Sequence, residues 1–411
     1  MRGLCKNVQV IPPLMKATII CNEPFPNGLA GTRRIICYAK ALIESGIPCE
    51  VVIFKWTEPK NEIRNTRTRG TFEGIPYRYL GGSTVKPAHK IPRIFREFCG
   101  RTALIRYVRK NLQKGDVVIG YLHGNPDFIS KIIDKVHAAG AKYVRELGEI
   151  PFFGNTDPTS IAGLERTLSD QFPRCDGFIT ISGPLYELAC KYRRPGAGIL
   201  KLPILVEYEK IASEGGSKCA ETPYIFHSGT LLEQKDGILG MIEAFGKARQ
   251  MTAEPLRMVL SGRLEMSPEK DGIRRIAKEY KIEDDLVFTG YLDRTQVAEY
   301  LSGAAMTIIN KHPNQQNLNG FSTKLADYLA AGKPVIITDV GEAMNWLEDG
   351  KDAIVVKHDD TDALSRAILR ILSDKDFASR IGEEGRETCR RYFDYKNAIT
   401  PLHDFMVGLQ Q

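Results

Sequence analysis

One segment in the second half of the chain combines residue types that suit anion binding. Gly320 permits a tight turn, and Ser322 or Thr323 can cap the short helix that follows. The first turn of a helix presents free N–H groups and a partial positive charge, to which Lys324 adds a full charge. Asp327 follows in the next turn, where its carboxylate can accept hydrogen bonds from sugar or ribose hydroxyls. The segment predicts a phosphate site beside a hydroxyl-bearing ring, and a capped helix without a ligand is the alternative.

Polar side chains of the first half also stand where predicted strands end. His123 comes just after one strand, and Glu149 comes just after the next. Because ligands of open parallel sheets bind outside the carboxyl ends of strands, both are predicted to face a binding cleft. A loop histidine without a role is the alternative for His123. Arg33 and Arg34 open the first long helix, where they are predicted either to meet a phosphate across the cleft or to be solvated.

Short apolar strands that alternate with amphipathic helices would position these residues. The alternation occurs twice, and it predicts parallel sheets covered on both faces. The stretch 207–223, which carries Gly-Gly and Pro, is predicted to be a linker or domain edge. The predicted strands are 17–22, 50–54, 77–80, 116–121, 142–146, 177–181, 198–203, 224–228, 257–261, 286–289, 306–310, 335–338 and 353–356. The predicted helices include 32–45, 125–139, 237–249, 268–281, 295–301, 323–331, 362–372 and 377–391.

The segment 319–339 resembles the donor-site signature of the GT-B retaining glycosyltransferases related to glycosyltransferase family 4, the glycosyl transferases group 1. That signature is a G-F-x-x-K-L-x-E-Y-L-A-x-G-x-P-V-I run, and the resemblance extends over nearly the whole chain. It implies an α/β chain of GT-B architecture, with two Rossmann-like doubly wound domains facing a central cleft. Residues 1–205 would form the acceptor-side domain and residues 206–394 the donor-binding domain. The C-terminal helix, 395–411, would pack back on the first domain.

The resemblance also implies which residues bind a nucleoside diphosphate sugar, the donor. Gly229, Thr230 and Lys235 match the phosphate-contacting loop after the first strand of the second domain, and Phe288 lies in the base-contacting strand end. Gly28 and Gly31 match the glycine loop of the first domain. The implied donor-binding residues are Gly28, Gly31, Gly229, Thr230, Arg263, Phe288, Asn319, Gly320, Phe321, Ser322, Thr323 and Asp327.

The implied reaction moves a hexosyl group from that donor to a hydroxyl of a glycan or lipid-linked acceptor, with retained configuration. Negative charge grows on the diphosphate as the glycosidic bond breaks, and Lys235, Lys324 and Arg263 would stabilise it together with backbone N–H groups of 321–323. His123 and Glu149 would contact the transferred sugar and orient the acceptor, which completes the implied catalytic set. A leaving phosphate oxygen would accept the proton, so neither a dedicated base nor a metal or other cofactor is expected.

Two features of the sequence depart from a simple family match. The family's paired glutamates correspond to Asn319 and Asp327, so Asp327 keeps the carboxylate for ribose while Asn319 loses the charge near the donor sugar. The D-x-D strings 360–362 and 374–376 resemble metal-binding strings of sugar transferases with another fold. Both lie where helices begin, so helix capping is the interpretation preferred to a metal site.

Composition excludes several classes of protein. The 411 residues are 43% hydrophobic and suggest two or three globular domains, without a membrane-spanning apolar run or a signal peptide. The nine cysteines form no C-x-x-C pair, which favours a reducing, cytoplasmic compartment. No G-x-G-x-x-G follows a first strand, so an NAD enzyme is not predicted. Residues 1–205 carry 31 Lys and Arg against 17 Asp and Glu, whereas the rest of the chain is net acidic.

The stretch 86–114 concentrates the positive charge of the first half. Its many Lys and Arg residues are interleaved with Ile, Phe, Leu and Val, and Glu97 is its only acidic residue. Such a segment can lie peripherally on an anionic membrane surface or hold an acidic acceptor. A solvated amphipathic helix is the alternative. Nucleic acid is not an expected partner, because no nucleic-acid motif accompanies the charge.

Three functions therefore compete at the level of sequence. The first is a retaining glycosyltransferase of cell-surface polysaccharide or glycolipid synthesis. The second is a GT-B sugar-nucleotide epimerase, against which the run from Lys324 to Ala330 argues. The third is a non-catalytic protein that binds nucleotide sugars or nucleic acid, and Asn319 in place of a glutamate keeps this alternative open.

Overall fold

The computed structural model describes residues 15–151, 157–214 and 221–411. The strands are β1 Ala17–Cys21, β2 Cys49–Ile53, β3 Arg69–Phe72, β4 Ile75–Tyr79, β5 Val117–Tyr121, β6 Lys142–Leu147, β7 Gly177–Thr180, β8 Gly198–Lys201, β9 Tyr224–Ser228, β10 Arg257–Ser261, β11 Leu286–Gly290, β12 Met306–Ile309, β13 Val335–Thr338 and β14 Ile354–Val356.

The α-helices connect these strands. They are α1 Ala30–Glu44, α2 Lys90–Asn111, α3 Pro126–Ala138, α4 Pro158–Arg166, α5 Gly183–Tyr192, α6 Tyr208–Glu214, α7 Glu233–Asp236, α8 Ile238–Met251, α9 Lys270–Tyr280, α10 Arg294–Gly303, α11 Gln315–Asn319, α12 Thr323–Ala330, α13 Thr361–Ser373, α14 Lys375–Tyr392 and α15 Ile399–Gly408. Shorter helical turns lie at Thr167–Gln171, Phe172–Arg174, Leu264–Met266, Glu283–Asp285, Glu342–Asn345 and Tyr395–Ala398. Among the described residues, no helix combines the length and the apolar character needed to cross a bilayer.

The strands form two sheets that share no strand. The first has the order β3-β4-β2-β1-β5-β6-β7-β8 and is parallel except for the β3–β4 hairpin at its edge. The second has the order β11-β10-β9-β12-β13-β14 and is parallel throughout. Because helices pack on both faces, most central strands are buried along their whole length and are apolar rather than alternating. The prediction of two doubly wound α/β units is confirmed.

The carboxyl ends of the two sheets face each other. Ser182 follows β7 of the first sheet, and its hydroxyl donates to the backbone carbonyl of Asn319, at the end of α11 in the second half. The backbone N–H of Gly183 donates to Glu342 at 2.8 Å. Loops at the carboxyl ends of parallel strands are where ligands bind, so these contacts place the two sets of loops at one cleft.

The chain passes between the two halves at one place in each direction. Val206 leaves the first half, and its N–H donates to the Phe393 carbonyl at 2.8 Å while its carbonyl accepts from Tyr395 N–H at 3.0 Å. After this crossing, α15 packs on α1 and β8, and Leu402 and Met406 are fully buried in the first core. The domain limits drawn at 205 and 394 remain a prediction.

Two sequence predictions are corrected by the fold. The hairpin strand β3 was missed, because its residues alternate between exposed and half-buried positions and contain no apolar run. The stretch 207–223 was predicted to be a linker or a domain edge. The linker is wrong for 208–214, which form the helix α6, and the domain edge remains a prediction. Residues 215–220 lie outside the described part of the chain. Ile211 of α6 is buried among residues of both halves, so this part of the stretch is packed structure.

Candidate active site

The loop that follows β9 carries a buried ion pair. Asp236 ends the short helix α7 and is 3% exposed, and its carboxylate accepts a hydrogen bond from the Lys324 ammonium in the first turn of α12. Burial by itself would raise the pKa of Asp236, but the charge of Lys324 outweighs it and holds this pKa well below its ordinary value. The carboxylate therefore stays ionised, and it fixes the ammonium of Lys324 at the start of α12.

A histidine shares the space beside this ion pair. His227, in β9, is 1% exposed, and its Nδ1 donates to the Ile308 carbonyl at 3.0 Å, since a carbonyl can only accept. Burial, followed by the charge of Lys324, lowers the pKa of His227 to about 4, so the ring is neutral at pH 7. Its Nε2 is then an acceptor 3.9 Å from an Asp236 oxygen, and neither atom has a donor among the described residues.

Gly229 leaves room next to these groups. A Cβ atom at this position would lie 2.5 Å from His227 Nε2, 2.7 Å from Asp236 Oδ2 and 3.0 Å from Lys324 Nζ. Only glycine therefore fits without displacing all three side chains. The arrangement offers one cation and two buried acceptor atoms to a ligand that approaches the Gly229 backbone, which suits a group that carries both a phosphate and hydroxyls.

Two further lysines surround the ion pair. Lys311 follows β12, and its ammonium donates to Asn317 at 2.8 Å. Burial, reinforced by the charge of Lys324, lowers the pKa of Lys311 to about 8. Lys235 is half-buried, and its charge disfavours the protonated forms of both Lys311 and Lys324. We call Lys235, Lys311 and Lys324 the cationic side of the cleft, because like charges gathered in this way are stabilised by an anion.

The start of α12 differs from its predicted form in one respect. Ser322 occupies the N-cap position, but its side chain accepts no hydrogen bond from the first turn, so the predicted side-chain cap is wrong. The chain enters the helix with Ser322 in an extended conformation after Gly320, whose N–H is used in a bond to the Gln316 carbonyl at 2.8 Å. Without a side-chain acceptor, the first-turn N–H groups, including that of Thr323, suit an external anion.

The neighbours of this turn have structural partners of their own. The Phe321 ring is 8% exposed and packs edge-on against Phe393 at 5.7 Å, so only its backbone is available to a ligand. Asn319 ends α11, and its side-chain amide donates to the Gln315 carbonyl at 2.7 Å. Among the described residues, the oxygen of this amide accepts no hydrogen bond, so it stays open to a hydroxyl donor.

Asp327, which was predicted to bind ribose, forms an ion pair across the cleft. Its carboxylate accepts a hydrogen bond from Arg33, in the first turn of α1. Arg33 therefore does reach the second half, as one of its two predicted alternatives required, but it contacts a carboxylate there. A cavity between the halves is lined by both residues together with Thr323, Glu207 and Arg294. A ligand hydroxyl that binds Asp327 must compete with or rearrange this ion pair.

The other predicted donor residues lie at the ends of neighbouring strands. Thr230 is exposed directly after Gly229, and Phe288 in β11 is half-buried against the second core. Arg263 follows β10, is exposed, and brings one nitrogen to 3.8 Å from Glu62 in the first half. The structure thus brings Gly229, Thr230, Lys235 and Lys324 together around the β9 loop. Arg263 stands further out, on the next strand towards the sheet edge.

Carboxylates occupy the opposite side of the cleft. Glu146 is the penultimate residue of β6 and accepts a hydrogen bond from Arg34 Nε at 2.8 Å. Burial raises the pKa of Glu146, and Arg34 opposes this shift. Arg34 is 3% exposed and also donates to the carbonyls of Leu202 and Pro203, so the predicted solvated alternative is wrong for this residue. The pair fixes α1 to the end of the first sheet.

Glu23 and Glu149 extend this group of carboxylates. Glu23 follows β1, and burial, followed by the charges of Glu149 and Glu146, raises its pKa. Gly31 leaves room for it, since a Cβ there would come 3.1 Å from the Glu23 carboxylate and from Tyr121 Oη. Glu149 is exposed, and its charge also acts on Lys311 across the cleft. We call Glu23, Glu146 and Glu149 the carboxylate side of the cleft.

His123 and Gly28 complete the predicted set. The backbone of His123 exchanges hydrogen bonds with the Asn22 side chain at 3.2 Å, and its ring meets Tyr121 edge-on. More than a third of His123 is accessible, yet its ring lies in a recess. Removal from bulk water there, followed by the charges of Arg145 and Lys55, lowers its pKa to about 4. Gly28 allows the preceding loop to pack on α1, because a Cβ would overlap the Thr32 hydroxyl.

The capping interpretation of the two D-x-D strings is confirmed. Asp360 accepts from Ala363 N–H at 2.7 Å, and Asp374 accepts from Phe377 N–H at 2.9 Å, each at the N-terminus of a helix. Within the part of the chain that the structure describes, no three His, Cys, Asp or Glu side chains come together as a metal site would require.

Sequence reasoning missed several residues of the cleft. His227 lies in β9 and Asp236 beyond it at the end of α7, while Lys311 follows β12 and Glu23 follows β1. His227, Lys311 and Glu23 share a signal of position, because each lies in or just after a strand near its carboxyl end, as His123 and Glu149 do. A search restricted to that position would have found them. The pairing of Asp236 with Lys324 leaves no such signal, since 88 residues separate the partners.

The match to a family model lies in the second half of the chain. Residues 212–388 match the family model described as Glycosyl transferases group 1. The chain is 26% identical over 185 residues to the lipopolysaccharide core biosynthesis glycosyltransferase LpsE of Rhizobium meliloti, which covers 45% of this chain and 49% of that protein. It is 24% identical over 143 residues to a GDP-mannose-dependent phosphatidylinositol monomannoside mannosyltransferase of Mycobacterium tuberculosis, covering 34% of this chain and 37% of that one. The chain thus matches half or less of the length of these relatives.

Solved structures match along almost the entire chain. Sucrose-phosphate synthase from Thermosynechococcus elongatus superposes with a TM-score of 0.70 at 17% identity, covering 96% of this chain and 99% of that one. The Anabaena protein HepE in complex with UDP superposes with a TM-score of 0.67 at 14% identity, covering 96% and 100%. The fold is therefore GT-B, with two Rossmann-like domains on either side of a cleft.

Proposed function

We propose that this protein is a retaining glycosyltransferase that moves a hexosyl group from a nucleoside diphosphate sugar to a hydroxyl of a glycan or glycolipid. The observation that carries the proposal is the buried Lys324–Asp236 pair below Gly229, at the uncapped N-terminus of α12. The group 1 family match over residues 212–388 supports the same assignment of the donor to the second half. The relatives named for lipopolysaccharide and phosphatidylinositol mannoside synthesis support a cell-surface glycan or glycolipid as acceptor.

The charges of the cleft supply the stabilisation that the reaction needs. As the bond to the diphosphate breaks, negative charge grows on its oxygens, and cations already held in place stabilise that charge without further reorganisation. Lys324 is held by Asp236 and Lys311 by Asn317, and the half-buried Lys235 adds a third positive charge. The first-turn N–H groups of α12 point at the same region. This combination matches the dianionic leaving group of a nucleoside diphosphate sugar.

The two buried acceptor atoms give the site a preference for hydroxyls. His227 Nε2 and Asp236 Oδ2 lie 3.9 Å apart beside Gly229, and a hydroxyl held between them donates to either one. Leaving such acceptors unpaired in the protein interior costs free energy, so a donor that supplies a hydroxyl there binds more tightly than one that does not. We assign this position to a hydroxyl of the donor.

The carboxylate side positions the acceptor. Glu149 is exposed, and its negative charge favours the protonated form of Lys311. The pKa of Glu23 is raised. Both accept hydrogen bonds from a hydroxyl and so orient it towards the donor carbon. The proton of this hydroxyl passes to an oxygen of the leaving diphosphate, so the retaining reaction needs no dedicated base. Metal is not part of this proposal.

Ligand-dependent unfolding of the purified protein tests the donor site. UDP, GDP, ADP, CMP and their sugars are compared with and without a divalent cation. At 100 times its dissociation constant, a ligand adds about 2.7 kcal/mol to the free energy of unfolding. We expect one base family to raise the unfolding temperature of the wild type, and Lys324→Met to abolish that rise. Lys351→Met, an exposed lysine remote from the cleft, is the matched control and should retain it.

Turnover then separates the proposed transferase from its rivals. Release of nucleoside diphosphate that depends on an added glycan or glycolipid, with the anomeric configuration of the donor kept in the product by NMR, supports the proposal. Donor turnover without any acceptor would indicate an epimerase. Nucleotide binding without turnover would indicate a binding protein, and no shift with any nucleotide would overturn the donor site itself.

A further inference from the structure

The helix α2 exposes a continuous apolar face in its first half. Ile91 is 82% exposed, Ile94 61%, and Phe95 and Phe98 66% each. Their spacing of three and four residues places them on one side of the helix. Single exposed apolar side chains are ordinary, but four large ones on adjacent turns form a patch that marks an interaction surface. Among the described residues, nothing covers this patch.

Unpaired cations surround the apolar face. Lys90, Arg96, Arg106, Arg109 and Lys110 are all exposed, and none forms an ion pair with a residue that the structure describes. Arg109 lies 18 positions after Ile91, which is five full turns and about 27 Å further along the same side. The solvent face of α2 is therefore apolar in its first half and cationic in its second.

The body of the protein holds α2 in a fixed position. Leu104, Tyr107 and Val108, in the second half of α2, are buried against the first half of the chain. Gly100 allows the helix to touch the end of β2, since a Cβ there would lie 2.0 Å from the Phe54 carbonyl oxygen. The apolar face thus belongs to a continuous helix whose second half is anchored in the first core of the protein. A surface formed in this way binds without the entropy cost of ordering a disordered segment.

The underside of α2 leads to the cleft. A pocket between α2 and α3 is lined by Lys55, Arg101, His123 and Phe128, among others. The Arg101 guanidinium lies 4.9 Å from the Phe128 ring centre, and its other contact is to Glu97 of the same helix. His123 belongs both to this pocket and to the predicted catalytic set. The pocket therefore connects α2, which carries the apolar face, with a residue of the predicted catalytic set.

We propose that α2 lies flat on an anionic phospholipid bilayer, with Ile91, Ile94, Phe95 and Phe98 inserted among the acyl chains near the headgroups. Arg106, Arg109 and Lys110 would contact the phosphates, since polybasic segments are attracted to anionic lipid and apolar side chains anchor them. A second copy of the chain does not suit this surface, because pairing would bring unpaired cations together. Nucleic acid would neutralise the cations but would leave the isoleucine and phenylalanine side chains in water.

The proposal bears on the substrate, in a step that rests on the proposed function. An acceptor whose lipid tail stays in the bilayer would bring its headgroup to the level of the pocket below α2, beside His123. A glycan or phosphate headgroup there meets Lys55 and Arg101 on its way to the cleft. The acceptor class would therefore be lipid-linked rather than a free soluble glycan.

Vesicle flotation tests the docking surface without using transfer activity. The full-length wild type is expected to float with vesicles of phosphatidylcholine and phosphatidylglycerol, and to stay unbound with phosphatidylcholine alone. F95S/F98S should weaken binding about tenfold or more, since both rings lose apolar contact. R106Q/R109Q should weaken it about fivefold for each charge removed. M251S is the matched control: Met251 ends α8 and is 67% exposed, but has no cationic surroundings on its helix comparable to α2.

The outcomes divide clearly. Binding to anionic vesicles that F95S/F98S leaves unchanged overturns the insertion of the apolar face, as does equal loss in M251S. If the wild type forms concentration-dependent dimers and F95S/F98S does not, the face binds a second copy and the proposal is overturned. If a short DNA duplex displaces the protein from vesicles and binds F95S/F98S equally well, the surface binds nucleic acid instead. Unchanged nucleotide-induced stabilisation in F95S/F98S shows that the variant is folded. It also separates a failure of this proposal from a failure of the donor site.

Discussion

The two sides of the cleft use opposite charges and hold them in different ways. On the cationic side, Lys324 is fixed by the buried Asp236, and the charges of Lys324 and Lys235 lower the pKa of Lys311. On the carboxylate side, Glu146 is bound to Arg34, while Glu23 and Glu149 keep their oxygens open. Each side has one buried ion pair that holds its charged side chains in place. Each side also has further charges of one sign that this pair does not neutralise.

The difference between the sides reflects the charges of the two substrates in the proposed reaction. A diphosphate brings two negative charges, so a side with excess positive charge is stabilised by its arrival. A sugar hydroxyl is neutral, and what it requires is an oriented acceptor rather than a counter-charge. The half of the chain that is net acidic thus holds the cationic side, while the net basic half holds the carboxylate side. The excess basic charge of the first half lies instead on the outer surface, at α2.

Replacing Lys324 with Met should produce the largest effect, because it empties the cationic side of its fixed charge. We expect the proposed transfer rate to fall about 100- to 1,000-fold, as for loss of a preorganised group that stabilises developing charge. Stability should also fall, by about 3–5 kcal/mol, since Asp236 is left buried and ionised without a partner. Steady-state rates and urea unfolding measure the two effects.

A double variant separates structure from chemistry at this pair. In K324M/D236N neither charge remains, so most of the lost stability should return while the rate stays low. A double variant that regained the rate would show that Lys324 only holds the fold. Lys235→Met, which removes a half-buried cation without breaking a pair, should lower the rate and leave stability within about 0.5 kcal/mol.

Replacing Glu146 with Gln tests the ion pair of the carboxylate side. Arg34 would keep its two backbone acceptors but lose its counter-charge in the protein interior, and we expect about 3 kcal/mol of stability to be lost. Binding of nucleotide should be unaffected, because the donor site lies on the other side. A large loss of nucleotide affinity in E146Q would show that the two sides are coupled rather than independent. Chemical denaturation and nucleotide titration of the same variant measure this.

The pH dependence of stability should distinguish the two histidines. The pKa of His227 is depressed from 6.5 to about 4, so the unfolded chain binds the proton first, and stability falls as the pH drops from about 6.5 to 4. The slope should approach about 1.4 kcal/mol per pH unit, and His227→Asn should flatten it. His123→Asn should flatten it less, because His123 is partly accessible as a residue whereas His227 is 1% exposed. Equal slopes in the two variants would contradict the burial argument.

Asn319→Ala is expected to have the smallest effect. The side chain makes one partly exposed bond, to the Gln315 carbonyl at the end of α11, so its loss should cost about 1 kcal/mol or less. Asn319→Glu should be similar in stability but should change the preference among donor sugars, because it adds a carboxylate beside the cationic side. Initial rates with several sugars of one base measure this. Identical sugar preference in both variants would remove Asn319 from the donor site.

The sequence predicted the sheets better than it predicted the cleft. The strands 224–228, 257–261 and 335–338 were predicted to the residue, because buried parallel strands are runs of branched apolar side chains between turn signals. The edge strand β3 has no such run and was missed. Glu149 and His123 could be predicted as cleft residues, because each follows the carboxyl end of a predicted strand.

Pairings across the chain left no trace in the local pattern. Asp327 was predicted to be free for a ligand, and it contacts Arg33, which is distant in the sequence. Arg34 was allowed to be solvated, and it lies buried against Glu146. Helical and strand periodicity report which face of an element is buried, but a charged residue on a buried face needs a specific partner, and only the three-dimensional packing supplies it.

The return of α15 to the first half has a consequence for synthesis on the ribosome. The core around α1 contains Leu402 and Met406, so the first half emerges with part of its interior missing. Those positions stay empty until nearly the whole second half has been translated. The first half therefore stays incomplete, with part of the apolar side of α1 uncovered, until α15 has been translated and packs on α1 and β8.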